Sequence, residues 1–304
     1  MRFGEIAVEQ SSDPSIYAKV ISQLKLKPPV IIKPNWGMIN NYTEAEVIDG
    51  VLSAINGEAV VTESYGWART EDALRGKGLG SLKKDDLRRS DEWFLKTTGM
   101  DRVLEKHGVD YVNITEEVWA KRTVDTETIR EIAGKYGPLH FEEFYGKVPS
   151  RLFELRGGTF LSLAKYRLNH DPIVVSLTLK NLFGMIPGPR RGKYHGKNDA
   201  LLAQGILDIN RVYHSVFNTV GMVDAVLTAS IGRRAEDAIK PEIARDCGLL
   251  LGSRDRVRLD AFVAAMEGRD PRTIGYLKLA ADTFGGWDAT DIDSAGRCGI
   301  RILG

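Results

Sequence analysis

The sequence predicts an α/β fold of mostly parallel sheets flanked by helices, with the site in a cleft between two lobes. Three observations carry that expectation. A β-branched run, Pro29-Val-Ile-Ile-Lys33, leads through an amphipathic helix to a second apolar run, Ala59-Val-Val-Thr-Glu63, which is the strand–helix–strand spacing of a parallel βαβ unit. The second half repeats this α/β texture without a detectable internal repeat. The composition, 43% hydrophobic and 27% charged over 304 residues, is that of an ordinary globular chain able to bury a core.

In chain order, Pro34-Asn35 closes the first strand. Thr43 is the expected N-cap of the next helix, with Glu46 three residues on and Val47, Ile48, Val51, Leu52 and Ile55 along one face. Gly57 is its expected stop. Residues 66–98, polar and carrying Gly76-Lys-Gly-Leu-Gly80, read as an excursion of loop and short helices. Asp101 to His107 reads as a helix stopped by Gly108, and Val109 to Val112 as a third strand. The charged, aromatic stretch 113–157 is compatible with an edge hairpin or a small subdomain. Beyond it, Thr159 to Leu163 and Pro172 to Leu179 read as strands. Asp199 to Val216 reads as a long helix burying Leu202, Ile206, Ile209 and Val212. Val223 to Leu227 and Leu249 to Leu251 are strand candidates, and Arg258 to Met266 and Thr273 to Phe284 are helices ended by glycine. The expected organisation is a single domain over 1–304, made of two α/β lobes (about 1–157 and 158–304) or of one extended sheet.

Charge and cysteine content exclude several function classes. Lys+Arg 42 against Asp+Glu 41 gives a net charge of +1, so no global field favours nucleic acid or an anionic membrane. Cys247 and Cys298 are far apart and outside any C-x-x-C spacing, so this chain alone builds neither a disulfide framework nor a zinc or iron–sulfur cluster. The first residues lack an apolar h-region, and no stretch approaches the roughly 18 uninterrupted apolar residues of a membrane span, so a reducing cytoplasm is the expected location.

The most informative segment runs from Leu179-Lys180-Asn181 through Gly184, Pro187-Gly188, Arg190-Arg191-Gly192-Lys193-Tyr194-His195 to Lys197. No acidic residue occurs from Pro172 to Asn198, whereas Lys180, Arg190, Arg191, Lys193 and Lys197 are all basic. Glycines and prolines beside those charges describe a fixed loop whose N–H groups and cations can converge on one anion. The alternative is a solvated basic loop. The segment misses the phosphate-loop pattern: Pro187 stands where glycine is needed, and Tyr194 where Ser or Thr would bind magnesium. Gly76 to Gly80 likewise misses the dinucleotide fingerprint. His195, among cations, is a candidate base or metal ligand, and His170 is the second metal candidate; no H-E-x-x-H or H-x-H pair occurs. Lys33-Pro-Asn35 and Glu63-Ser64 follow the first two strands and are placed to face one crevice, or else to serve as turn and cap residues.

Ile31-Ile-Lys33-Pro34-Asn35, the helix begun at Thr43, Val60-Val-Thr-Glu63-Ser64, the Leu179 to Gly188 loop with Lys193 and His195, and Gly252-Ser-Arg-Asp255 leading to Asp260 together resemble domain-of-unknown-function family 362. Members of that family often carry or are fused to ferredoxin-like cysteine clusters. The resemblance therefore implies a stand-alone form with no intrinsic iron–sulfur cluster, its cofactor being unidentified. Where the family commonly shows a lysine-x-histidine pair, this chain has Arg167-Leu-Asn-His170. The loop is also remotely similar to one in the nickel-pincer lactate racemases, a likeness bearing more on fold than on reaction.

The function expected is an enzyme acting by acid–base chemistry on a small carboxylated or phosphorylated metabolite in a cationic cleft. His195 and Lys180 are the candidate catalytic residues; Arg190, Arg191, Lys193, Lys197, Asn181, Lys33, Asn35, Glu63 and Ser64 are the candidate anion-binding ones. The alternative is an accessory module that binds an anionic cofactor or a redox (iron–sulfur) protein partner. Nucleic acid is disfavoured, because one basic loop lacks an aromatic stacking platform.

Overall fold

In the computed structural model, residues 1–39, 41–66, 69–74, 81–168, 173–188, 190–229, 244–300 and 302 are described. One eight-stranded sheet runs through the molecule. Its strands are β1 (Arg2–Phe3), β2 (Ile6–Gln10), β3 (Val30–Lys33), β4 (Ala59–Glu63), β5 (Asp110–Asn113), β6 (Thr159–Lys165), β9 (Asn218–Ala229) and β10 (Ala244–Ser253). A separate two-stranded hairpin holds β7 (Arg167–Leu168) and β8 (Val175–Ser176).

The order across the sheet is β1-β2-β10-β9-β6-β3-β4-β5. Strands β9, β6, β3, β4 and β5 are mutually parallel, while β10, β2 and β1 extend one edge in antiparallel fashion. Strands from the two halves of the chain are direct neighbours, since β3 pairs β6. The expected boundary at 157/158 therefore falls inside one sheet, and of the two arrangements open from sequence it is the single extended sheet that forms.

Period-two alternation explains how both faces are covered. Val30, Ile32, Val61, Leu161 and Leu163 point to the face packed by helices 15–24, 45–54 and 100–107. Ile31, Val60 and Phe160 point to the opposite face, under helices 126–133, 202–216, 256–266 and 275–284. The chain steps from β3 outward to β4 and β5, then returns to the other side of β3 with β6 and β9. In open α/β sheets a crevice forms at the carboxyl ends of the strands where the order reverses; here that point lies between β3 and β6.

Several local expectations are corrected. The run Pro172 to Leu179, of which Pro172 lies outside the described residues, adds no strand to the main sheet: among its described residues only Val175–Ser176 is a strand, in the small hairpin, and Thr178–Asn181 is helical. A short apolar run has no periodicity to separate a strand from a buried helix start. Thr43 does not cap the 45–54 helix. Its hydroxyl accepts from the Asn35 N–H at 3.0 Å and its carbonyl from Trp36 Nε1 at 3.0 Å, so it ties down the turn after β3. Apart from Asn113, which ends β5, and one isolated bridge between Thr123 and Pro149, the regular parts of the stretch 113–157 are helical, without a hairpin. Within 66–98 the 15-residue helix Lys84–Thr98 is longer than expected; Gly76 to Gly80 lie outside the described residues, as does His170.

Candidate functional site

The two first-half strands end in opposite charges. Lys33, the last residue of β3, and Glu63, the last of β4, meet in a buried ion pair at 2.8 Å. The lysine donates further to the Pro34 carbonyl at 2.7 Å and to Asn181 Oδ1 at 3.0 Å, which uses all three of its ammonium hydrogens. Glu63 also accepts from the backbone N–H groups of Trp36 and Ser64, at 3.1 and 3.0 Å. Burial lowers the Lys33 pKa and the Glu63 carboxylate opposes that shift. Both ions are thus fully bonded, the condition for a buried pair to persist.

The helix 178–181 is held by a residue from far along the chain. Asp260, fully buried, accepts from the Thr178 N–H (3.0 Å), the Thr178 hydroxyl (2.6 Å) and the Leu179 N–H (2.9 Å). Burial raises its pKa to about 6 against the pull of those donors. Asn210 Nδ2 donates to the Leu179 carbonyl at 2.8 Å. With that helix fixed, Asn181 bridges β3 and β6, its amide donating to the Lys33 carbonyl (2.9 Å) and to Ser162 Oγ (3.1 Å).

The glycine-rich loop then folds back over the strand ends. A Cβ on Gly184 would lie 2.5 Å from Lys33 Nζ and 2.8 Å from Glu63 Oε1, so only glycine lets this backbone cover the ion pair. Ser64 donates to the Gly184 carbonyl, and Arg191 reaches back to Ser64 Oγ and, through Nε, to the Ile186 carbonyl at 2.9 Å. Arg191 has no carboxylate within ion-pair distance among the described residues, and burial lowers its pKa to about 10, with Glu63 opposing.

Around these groups lies a cavity of about 230 Å³, and its lining carries four basic side chains, Lys33, Arg167, Lys180 and Arg191, against one carboxylate, Glu63. Arg167 leaves the sheet just past β6. It donates weakly to Met38 Sδ (3.8 Å) and Ser176 Oγ (3.4 Å), and its buried Nε has no partner among the described residues. Burial alone brings its pKa down to about 10. Lys180, half-buried on the other side of the cavity, makes no hydrogen bond or ion pair with the described residues. Loss of water around its ammonium, reinforced by Arg167, Arg191 and Lys33 and opposed by Asp199, brings its pKa down to about 7.

His195 closes the rim. Its Nδ1 is 2.6 Å from Asp199 Oδ1 and its ring stands edge-on to Phe183. Asp199 is the first acid after the acid-free stretch, and Asn198 and Asp199 both adopt left-handed backbone (φ 53° and 61°), which turns that carboxylate onto the histidine. The setting of His195 is therefore not purely cationic, as the sequence suggests.

Lys33, Asn35, Glu63, Ser64, Lys180, Asn181, Arg191 and His195 all line the one cavity. Arg190, Lys193 and Lys197 do not: they are exposed, and Lys193 pairs with Glu143, an acid from the helical excursion that no local reading could supply. Arg167 was not singled out from sequence. The signal was present, because it follows an apolar strand at its carboxyl end just as Lys33-Pro-Asn35 and Glu63-Ser64 do. Among the described residues no group of three or more His, Cys, Asp or Glu side chains is arranged to hold a metal. Neither Cys247 nor Cys298 is in a disulfide. No described helix is long and apolar enough to cross a membrane.

Residues 30–265 match the family described as Domain of unknown function (DUF362). No curated protein and no solved structure gave a match.

Proposed function

The chain belongs to the DUF362 family, and for this member we propose an enzyme that binds a small carboxylated or phosphorylated metabolite at the carboxyl ends of β3, β4 and β6 and acts on it by acid–base chemistry. The observation that supports this reading is the charge imbalance of the cavity: four basic side chains converge on a space with one carboxylate, and that carboxylate is already committed to Lys33. A guanidinium keeps its charge near neutrality, so Arg167 and Arg191 are best matched by an anion from solution. In this role Arg167 and Arg191 hold the anion, with Asn35 and Ser64 on the wall. Lys180, whose pKa of about 7 lets it exist as free amine or ammonium, takes or gives a proton, as does His195 through its Nε2. Lys33, Glu63 and Asn181 form the floor that fixes these groups.

Calorimetric titration with oxalate and with inorganic phosphate at low salt tests the reading. Binding that weakens with added salt and falls at least about tenfold in Arg167→Met is expected. Equal, weak binding in wild type and variant would overturn it. A second reading, an accessory module docking a redox protein with its exposed basic residues, draws on the solvent-facing Arg190 and Lys197. It predicts that removing those two residues matters more than removing Arg167.

A further inference from the structure

The two lysines of the cavity are in opposite states. Lys33 spends its three ammonium hydrogens on Pro34, Glu63 and Asn181 and is fixed in place as a cation. Lys180 spends none among the described residues, faces the same cavity, and has Arg167, Arg191 and Lys33 acting on it against the single carboxylate of Asp199. An amine held free of partners in a small cationic cavity is placed to add to a carbonyl, since a lysine desolvated beside other cations carries an available lone pair near neutral pH. Arg167 lines the same cavity, and its Nε has no partner among the described residues, so the acid group of the same ligand would pair with this guanidinium.

We propose that Lys180 is a covalent nucleophile and that the site takes a small 2-oxo acid, whose carbonyl carbon is attacked by Lys180 Nζ while its carboxylate pairs with Arg167. This rests on the reading of the cavity as an anion site and names its substrate class. The amine nitrogen forms a bond to the carbonyl carbon as the C=O π bond opens, the nitrogen gives up one proton and the oxygen takes one up, giving a neutral carbinolamine. The nitrogen lone pair then forms the C=N bond as the C–O bond breaks. The hydroxyl leaves with a proton as water and the nitrogen gives up its own proton, so amine plus ketone become imine plus water with no oxidant or reductant. His195, its Nδ1 fixed on Asp199 and its Nε2 without a partner among the described residues, stands at the rim as the group that passes those protons. A cavity of about 230 Å³ suits a molecule of this size. Lys33 is excluded from the role because attack would tear it from Glu63.

The test incubates the full chain with pyruvate, and separately with 2-oxoglutarate, in the presence of cyanoborohydride, followed by intact-mass and peptide mass spectrometry. One reduced adduct on Lys180 is expected, absent in Lys180→Met and Lys180→Arg, at least tenfold slower in Arg167→Met, and forming faster as pH rises through about 7. Circular-dichroism melts of the variants establish that they are folded, and Lys180→Arg keeps the charge while losing the nucleophile. Labelling spread over surface lysines, unchanged in Lys180→Met, overturns the proposal. Oxalate, which offers carboxylates but no ketone, separates the two failures. If oxalate binds and Lys180 stays unlabelled, the imine chemistry is wrong and the anion site stands; if neither occurs, both fall.

Discussion

Two ionic clusters sit at the carboxyl ends of neighbouring strands, and they are unbalanced in opposite directions. At the end of β6, Lys165 pairs with Asp224, its register partner on β9, at 3.1 Å and also with Glu44, so one buried cation meets two carboxylates. In the cavity beside it, four basic side chains meet one carboxylate. The first cluster can correct its own excess: burial and the nearby Asp224 push the Glu44 carboxyl up to about 7, where it can take a proton from water. The second cannot, because Arg167 and Arg191, even lowered to about 10, remain charged near neutrality. An excess of buried acid is met by a proton, whereas an excess of buried guanidinium calls for a bound anion. This is the physical difference between a structural cluster and a candidate binding site in this molecule.

The largest effect should come from breaking the acid-rich cluster. Lys165→Met leaves Asp224 and Glu44 together without a cation, and a loss of about 3–5 kcal/mol is expected, read by chemical denaturation at pH 7. A loss below about 1 kcal/mol would show that the two acids are relieved by a route other than Lys165. An intermediate effect should appear in the pH dependence. Because Glu44 has a folded pKa near 7, above its ordinary 4.5, the folded state holds a proton that the unfolded chain releases between those values. Stability should therefore fall as pH rises from about 4.5 to about 7, by about 1–3 kcal/mol, and Glu44→Gln should flatten that slope. The smallest effect belongs to the cavity. Lys180, with a folded pKa near 7 against 10.5, disfavours the folded state most fully below pH 7 and is relieved as pH climbs toward 10.5. Lys180→Met should leave stability within about 1 kcal/mol of wild type near pH 10.5 and raise the melting temperature at pH 6. A destabilised variant at pH 6 would mean that Lys180 belongs with the structural cluster.

Much of the frame was legible from local pattern. Val30–Lys33 and Ala59–Glu63 are strands because β-branched residues alternate between two buried faces, and because parallel strands share a direction Lys33, Asn35, Glu63 and Ser64 at their ends line one cavity. The Lys180–Gly188 segment was legible as a glycine- and proline-rich basic loop, but not that Gly184 would close over Lys33 and Glu63. Thr178 and Thr43 were not legible. The first begins a helix because Asp260, 82 residues later, accepts its hydrogen bonds; the second is drawn away from its helix by Asn35 and Trp36.

The sequence by itself determined which segments are apolar, with what period, and which charged residues punctuate their ends, because those properties depend on neighbours within a few positions. The tertiary structure alone decided which charges are satisfied. Lys193 looked like a site residue until Glu143 took it to the surface, and Arg167 looked like the wrong residue in a motif until its guanidinium was found facing the cavity without an acid. An ion pair is made within about 4 Å in space, between groups that the chain can separate by any number of residues. Lys33 and Lys180 are both lysines beside a crevice in the sequence, and only the fold brings Glu63 to the first and gives the second no hydrogen-bond or ion-pair partner among the described residues.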